Sequence, residues 1–430
     1  MEGRKFDIIL FGASGFTGQY TVDEVARVAE EEHLTWAVAG RSMHKLQKVL
    51  SEASSRTGKN LDETAIIIAD TSSPASLHEM ASQGKVVLNC VGPYRFYGEA
   101  VVKACIEAGT HHLDISGEAQ FLENTQLLYN AIAKENNVFI IGSVGFDSIP
   151  AEMGLKYTWQ QFQDGELTNV ESYMSGHSGP ESFTVNTGTF ESAVYGFSHM
   201  KELKPLRKSL YPEPMPRFEY RLPKRRVLFY SKEVNKWCLP FPGSDKSVVY
   251  RTVRDHLANG RLVKPIEFNP YFCVDSLAQA LGLVAFVFVF GLFASFSFGQ
   301  TLLLKYPHIF SFGFFKKGGP TKKQIDACSF SMTFIGHGYN KVDKDRADKT
   351  PDKILTSKIL GPEPGYVATP IFMTQAAVTL LKEKDKITQR GGVLTPGAAF
   401  WNTSLIDRLQ AHNIKFITVS DSSSTDKKNE

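Results

Sequence analysis

An apolar run, Phe6 to Phe11, passes directly into Gly12-Ala-Ser14-Gly15-Phe16-Thr17-Gly18, and a helix-compatible stretch follows over residues 21–32. Strand, glycine-rich turn and helix in that order predict a cradle for the phosphates of a dinucleotide. Gly12 would permit the tight turn, Gly15 would let backbone amides approach a pyrophosphate, and Gly18 would let the helix pack close to the strand. Ser14, Phe16 and Thr17 lie between them and belong to the same loop. The phosphate would sit at the positive end of the helix. The spacing is G-x-x-G-x-x-G, so the flanking strand and helix carry the reading more than the pattern does.

Residues 34–39 read as the second strand, ending in Gly40-Arg41-Ser42. A chain selective for NAD(H) places a carboxylate near here to accept the ribose 2′-hydroxyl. Arg41 and Ser42 stand there instead, and a guanidinium pairs with a 2′-phosphate. NADP(H) is therefore expected over NAD(H), the alternative being that Arg41 only caps the next helix, 44–55. Residues 65–70 make a third strand whose Asp70 either touches the adenine or caps a helix near Pro74. The fourth strand, from residue 86, leads through Asn89, Cys90, Val91, Gly92 and Pro93 to Tyr94. Its carboxyl end is the expected switch point, where that turn would face the nicotinamide. A short strand ending in polar groups at 111–118 and a strand at 138–142 alternate with helices at 97–108 and 121–136. This alternation predicts an α/β fold, a Rossmann-type doubly wound parallel sheet over residues 1–150.

The 430 residues suffice for two or three domains, and the net charge of +3 gives no nucleic-acid signal. The five cysteines are odd in number and widely spaced, which predicts reduced thiols and neither zinc nor another metal. The charged start, Met1 to Lys5, is unlike a signal peptide, so a cytosol-facing protein is expected. After residue 150 the pattern shifts to scattered strand-like runs and clustered prolines. An inserted α+β substrate domain is expected over 151–387, a closing helix (395–412) and strand over 388–420, and a disordered tail over 421–430.

Several motifs recur in order: GASGFTG at 12–18, AGR at 39–41, NCVGPY at 89–94, D-x-S-G-E at 114–118, GFDSIP at 145–150, NTGTFES at 186–192 and GGVLTP at 391–396. Together they resemble the saccharopine dehydrogenase-like oxidoreductases of animals over nearly the full chain. The resemblance implies an NADP-type Rossmann domain, an inserted substrate domain and an oxidoreductase activity. It also implies association with lipid droplets or mitochondria, as in relatives of that branch.

Residues 276–304 carry no charge. As one helix they would span about 40 Å, enough to cross a bilayer core. A single crossing would separate parts of one inferred domain, so a membrane or lipid-droplet hairpin bent near Gly291, or an interfacial helix, is preferred. A buried helix, a buried strand and a homodimer interface are the competing expectations. Lys305, Lys316, Lys317, Lys322 and Lys323 follow and would suit a headgroup layer.

Hydride transfer needs the cofactor set against a substrate and usually a proton donor. Tyr94, Glu118 and Asp147, with Asp114 and Ser116 beside them, are the candidate catalytic groups on the rim. Each also reads as a turn-former or cap. Tyr220-x-x-x-Lys224 contains Pro223 and cannot form the reductase helix pair. The expected function is an NADP(H)-dependent oxidoreductase acting on a lipid-related or imine/carbonyl small molecule at a membrane surface. The alternatives are a non-catalytic cofactor-binding droplet scaffold and a soluble amino-acid reductase of the saccharopine type.

Overall fold

The computed structural model describes residues 3–163, 165–180, 183–341 and 350–423. Its first half alternates as the sequence predicts: β1 (Phe6–Phe11), α1 (Phe16–Glu31), β2 (Trp36–Gly40), α2 (Met43–Thr57), β3 (Ala65–Ile68), α3 (Pro74–Ala81), β4 (Gly84–Asn89), α4 (Tyr94–Ala108), β5 (His111–Asp114), α5 (Ala119–Glu135) and β6 (Phe139–Ile141). The strands are short and, apart from the edge strand β3, largely buried on both faces, as parallel strands covered by helices must be. Helix α6 (Ile149–Gln160) then leads out, so the expected boundary at 150/151 falls inside a helix.

The second half begins with β7 (Glu166–His177), β8 (Val185–Asn186), α7 (Thr187–Ser198), α8 (Leu203–Leu210), β9 (Phe229–Ser231), β10 (Lys236–Pro240), α9 (Asp245–Ala258) and β11 (Glu267–Val274). The uncharged run follows as α10 (Leu277–Ala294) and α11 (Ser297–Lys305), then α12 (Pro307–Phe310), β12 (Phe315–Lys316) and α13 (Lys322–Asp326). The chain ends with β13 (Ser329–Tyr339), β14 (Lys353–Pro362), α14 (Thr369–Glu383), β15 (Gly392–Leu394), α15 (Pro396–Phe400), α16 (Leu405–Ala411) and β16 (Lys415–Ser423).

Two seven-stranded sheets organise these elements. The first runs β15-β6-β5-β4-β1-β2-β3 and is parallel throughout. The reversal of strand order at β1/β4 makes the switch point. The second runs β16-β14-β13-β7-β11-β10-β9 and is mixed, with β7 and β11 parallel and its other pairs antiparallel. The closing residues thus divide, β15 joining the first sheet and β16 the second.

Several expectations need correction. Helix α1 starts at Phe16, not 21, because the glycine turn itself supplies the first helical turn. The expected helix 395–412 is two helices, interrupted at Trp401–Ser404. The uncharged run is helical, which removes the buried-strand option, and it breaks at Ser295 and Phe296 rather than at Gly291. Residues 421–423 belong to β16 and not to the tail; residues 424–430 lie outside the described residues, as do 342–349 of the charged loop.

Candidate functional site

At the carboxyl end of β1 the chain turns through Gly12, whose φ of +84° favours glycine. A Cβ on Gly18 would stand 2.2 Å from the Gly12 carbonyl oxygen, so helix and turn touch backbone to backbone. Gly15 occupies the N-cap position of α1 and offers no side-chain cap. The amides of the first helical turn point out of the strand end with no partner in the helix. This is an anion seat of the kind a pyrophosphate fills. The Phe16 ring packs 4.7 Å from Tyr366 and 5.5 Å from Tyr20 between centroids.

The residues expected on the adenosine side lie beyond β2. Ser42 caps α2 by accepting from Lys45 N at 3.4 Å, so the helix does not use Arg41, which is exposed. Asp70 accepts the Ser72 amide and hydroxyl, both at 2.8 Å, and these bonds hold its carboxyl below the usual range. The cap of α3 is Ser73, not Asp70.

The opposite rim is more tightly tied. Asn89 is buried; its Oδ1 accepts from Val91 N at 3.0 Å and its amide nitrogen meets His112 Nε2 at 3.3 Å. Val91 presses on the Gly12 turn, and Pro93 occupies the N-cap position of α4. The Tyr94 hydroxyl donates to the Asn89 carbonyl at 2.8 Å, and burial pushes its pKa well up. Glu118 accepts from Tyr94 N at 2.8 Å, from Arg95 N at 3.0 Å and from the Ser192 hydroxyl at 2.9 Å. Both side chains are therefore engaged in building the rim. Asp114 accepts from Ser116 N and Ser143 N, yet burial pushes it up to about 7.

Asp147 differs. It is half-buried beside Gly117, where a Cβ would stand 2.8 Å from its Oδ2, and desolvation pushes it up to about 6. Its neighbour Asp245, at the start of α9, is buried with Oδ1 lacking a partner, and burial followed by the Asp147 charge drives its pKa well up. Glu152 lies farther in; it accepts from Thr252 at 2.7 Å and is pushed up to about 8 by burial. Burial and neighbouring like charge both favour the protonated form of a carboxyl. Asp245 and Glu152 escaped the sequence reading because nothing local marks them. Ser192 was findable, since it closes the NTGTFES motif. Among the described residues no group of His, Cys, Asp and Glu side chains is arranged to hold a metal.

The apolar unit adjoins this rim. Phe286, Phe290 and Phe293 of α10 turn inward; Phe290 meets Phe190 and Phe197 of α7 at 5.4 and 5.9 Å, and Phe293 meets Phe310 at 4.9 Å. Only Ala280 and Ala294 of α10 are buried. Leu281, Val284, Val287, Phe288 and Leu292 face outward, Phe288 with 72% of its surface exposed. A helix apolar all round belongs in a core or in lipid, and α10 is long and apolar enough to cross a membrane. Its flanking strands argue against a crossing, because β11 and β13 both pair with β7 and lie about 10 Å apart.

Residues 8–141 match the saccharopine dehydrogenase NADP-binding domain model. The chain is 48% identical to the saccharopine dehydrogenase-like oxidoreductase of Homo sapiens, covering 98% of this chain and 99% of that one. The chain belongs to the saccharopine dehydrogenase-like oxidoreductase family. It is thereby an NADP(H)-dependent oxidoreductase by family, and the open cradle with Arg41 beyond β2 fits that cofactor. A Caenorhabditis elegans relative, 38% identical over 96% of this chain and 98% of its own length, is named lipid droplet localized protein. Among solved structures, the apo saccharopine dehydrogenase (L-Glu forming) of Saccharomyces cerevisiae superposes with a TM-score of 0.56 at 12% identity, covering 96% of this chain and all of that one. That likeness concerns the fold.

Proposed function

We propose that the protein transfers hydride between NADP(H) and a lipid-related or imine/carbonyl substrate while its apolar unit rests in a membrane or lipid-droplet surface. The observation that carries the reading is α10: one stripe of phenylalanines packs on α7, beside the cofactor rim, and the rest of an uncharged helix meets water. The droplet name of the worm relative points the same way. In this reading Gly12, Ser14, Gly15, Phe16, Thr17 and Gly18 surround the pyrophosphate, Arg41 and Ser42 take the 2′-phosphate, and Asp70 borders the adenosine. Asn89, Val91, Gly92 and Pro93 shape the wall beside the nicotinamide. The bound cofactor supplies or accepts the hydride.

Asp147 is the proton donor in this assignment. Tyr94 and Glu118 position the rim around it, since their polar atoms are already engaged. The charge of Asp147 reaches the buried Asp245 and raises its pKa, and two such neighbouring carboxyls favour a shared proton over two charges.

Replacing Val287, Phe288 and Leu292 together by serine should lower partition from water into buoyant droplets by about 100-fold or more, given the transfer free energy of three such side chains. Unchanged flotation would remove the lipid-surface reading. In the same preparations, NADPH oxidation against fractionated lipids should fall as pH rises through about 6, where Asp147 loses its proton. Asp147→Asn should abolish that pH step, and a step that persists in the variant would dismiss Asp147 as donor.

A further inference from the structure

The apolar unit is fastened to the cofactor site at two separate places. The first runs through α7. Its Phe190 and Phe197 receive Phe290 of α10, and its Ser192 hydroxyl donates to Glu118 Oε1 at 2.9 Å. The same carboxylate holds the first two amides of α4. Two further ties lie beside it, Gln120 to the Gly196 carbonyl at 3.0 Å and Tyr195 against Phe96 at 4.8 Å.

The second place is the phosphate loop. Strand β12, which follows α12, pairs with β8. Three residues on from β12, Gly319 lies against the Phe16 ring so closely that a Cβ would stand 2.3 Å from it. Tyr366 completes the joint: its hydroxyl accepts from Asn186 N of β8 at 2.8 Å, and its ring stacks edge-on against Phe16. Phe16 is the residue between Gly15 and Thr17, inside the loop that would cradle the pyrophosphate. The unit therefore touches both helix starts that frame the cofactor, α1 through Phe16 and α4 through Glu118.

We infer that seating of the α10–α12 unit on a lipid surface and binding of NADP(H) at the cradle favour each other. This rests on the lipid-surface reading above and adds to it a coupling between the two sites. In water the outward face of α10 has no complementary phase, and any rearrangement that hides Phe288 and its neighbours pulls on α7 and β12. In lipid that face is satisfied where it stands, so the unit holds α7 and the Gly319–Phe16 joint in the arrangement the cofactor needs. The cost of ordering the unit is then met by the lipid and not again by the nucleotide. Linkage requires the effect to run equally in both directions.

The test uses the full chain, NADPH fluorescence, and an emulsion of triolein coated with phosphatidylcholine. Saturating emulsion should lower the Kd for NADPH about fivefold or more, the lower end of ordinary coupling, and saturating NADPH should strengthen partition by the same factor. The double variant Ser192→Ala/Tyr366→Phe removes one hydrogen bond from each fastening, keeps the ring contacts at Phe96 and Phe16, and leaves the outward face of α10 intact. It should still bind NADPH and still partition, with the factor reduced toward one. Ser192→Ala alone, which leaves the Tyr366–Asn186 bond in place, should give an intermediate factor. Partition with an unchanged Kd would overturn the coupling and leave the lipid-surface reading standing. Absence of partition would overturn the lipid-surface reading, and the coupling with it.

Discussion

Helices α1 and α4 start at the same rim, from the ends of neighbouring strands β1 and β4, and present the same unpaired first-turn amides. Their starts are built in opposite ways. At α4 the chain brings its own anion: Glu118 arrives from the β5–α5 connection and occupies the amides of Tyr94 and Arg95. At α1, among the described residues, no side chain takes that place. Gly15 has no side chain to cap with, and Gly18 keeps the helix pressed on the turn. One helix start is closed by a carboxylate of the protein, and the other, uncapped, is the one proposed to take the cofactor phosphates. An anion-binding helix is thus recognised by the missing cap as much as by the glycines, and a rim carboxylate is not catalytic merely because it stands at the rim.

Three substitutions test that contrast. The largest effect is expected from Gly18→Ala, because the added Cβ would lie 2.2 Å from the Gly12 oxygen. Turn and helix must separate, and NADPH affinity should fall by about 100-fold or more in a fluorescence titration, a loss of the size strained backbone positions give. A variant that binds normally would mean the seat lies elsewhere. Glu118→Ala should instead act on stability, leaving two amides and the Ser192 hydroxyl without their acceptor. A loss of about 2–4 kcal/mol is expected in denaturant unfolding, with the NADPH Kd changed less than about threefold. If affinity collapses as well, the two helix starts are not independent. The smallest effect belongs to Arg41→Ala, which should raise the Kd for NADPH about tenfold and leave that for NADH unchanged, as the loss of one charge-assisted contact predicts. Equal weakening of both cofactors would place Arg41 outside the 2′-phosphate site.

Six of the seven strands of the parallel sheet, β1 to β6, were legible because most are short apolar runs closed by a turn signal, and the candidate phosphate loop because Gly12, Gly15 and Gly18 stand at the end of one. The start of α1 was set too late, since glycines have poor helix propensity and only the tertiary contact at Gly18 turns them into a helical turn. Strand β14 was missed; its residues 353–362 follow a charged stretch, and their alternation gains meaning only beside β13. The split of the closing segment was equally out of reach, because nothing in residues 391–396 says which sheet β15 will enter. Of the expected site residues, Tyr94, Glu118 and Asp147 follow the carboxyl ends of β4, β5 and β6, and their surroundings differ through partners the local sequence does not mark. Asn89 and Ser192 engage the first two, while Asp245 leaves the third competing for a proton.

The path of the chain around β7 has one more consequence. Strand β11 lies on one side of β7 and β13 on the other, so the whole apolar excursion leaves and returns through a doorway about 10 Å wide in a single sheet. No part of the protein has to be threaded through anything for that excursion to enter lipid, and none has to be pulled back for it to leave. On the proposed lipid-surface reading, a protein attached in this manner could arrive after synthesis is finished and leave intact, a traffic closed to a chain with a domain stranded on each side.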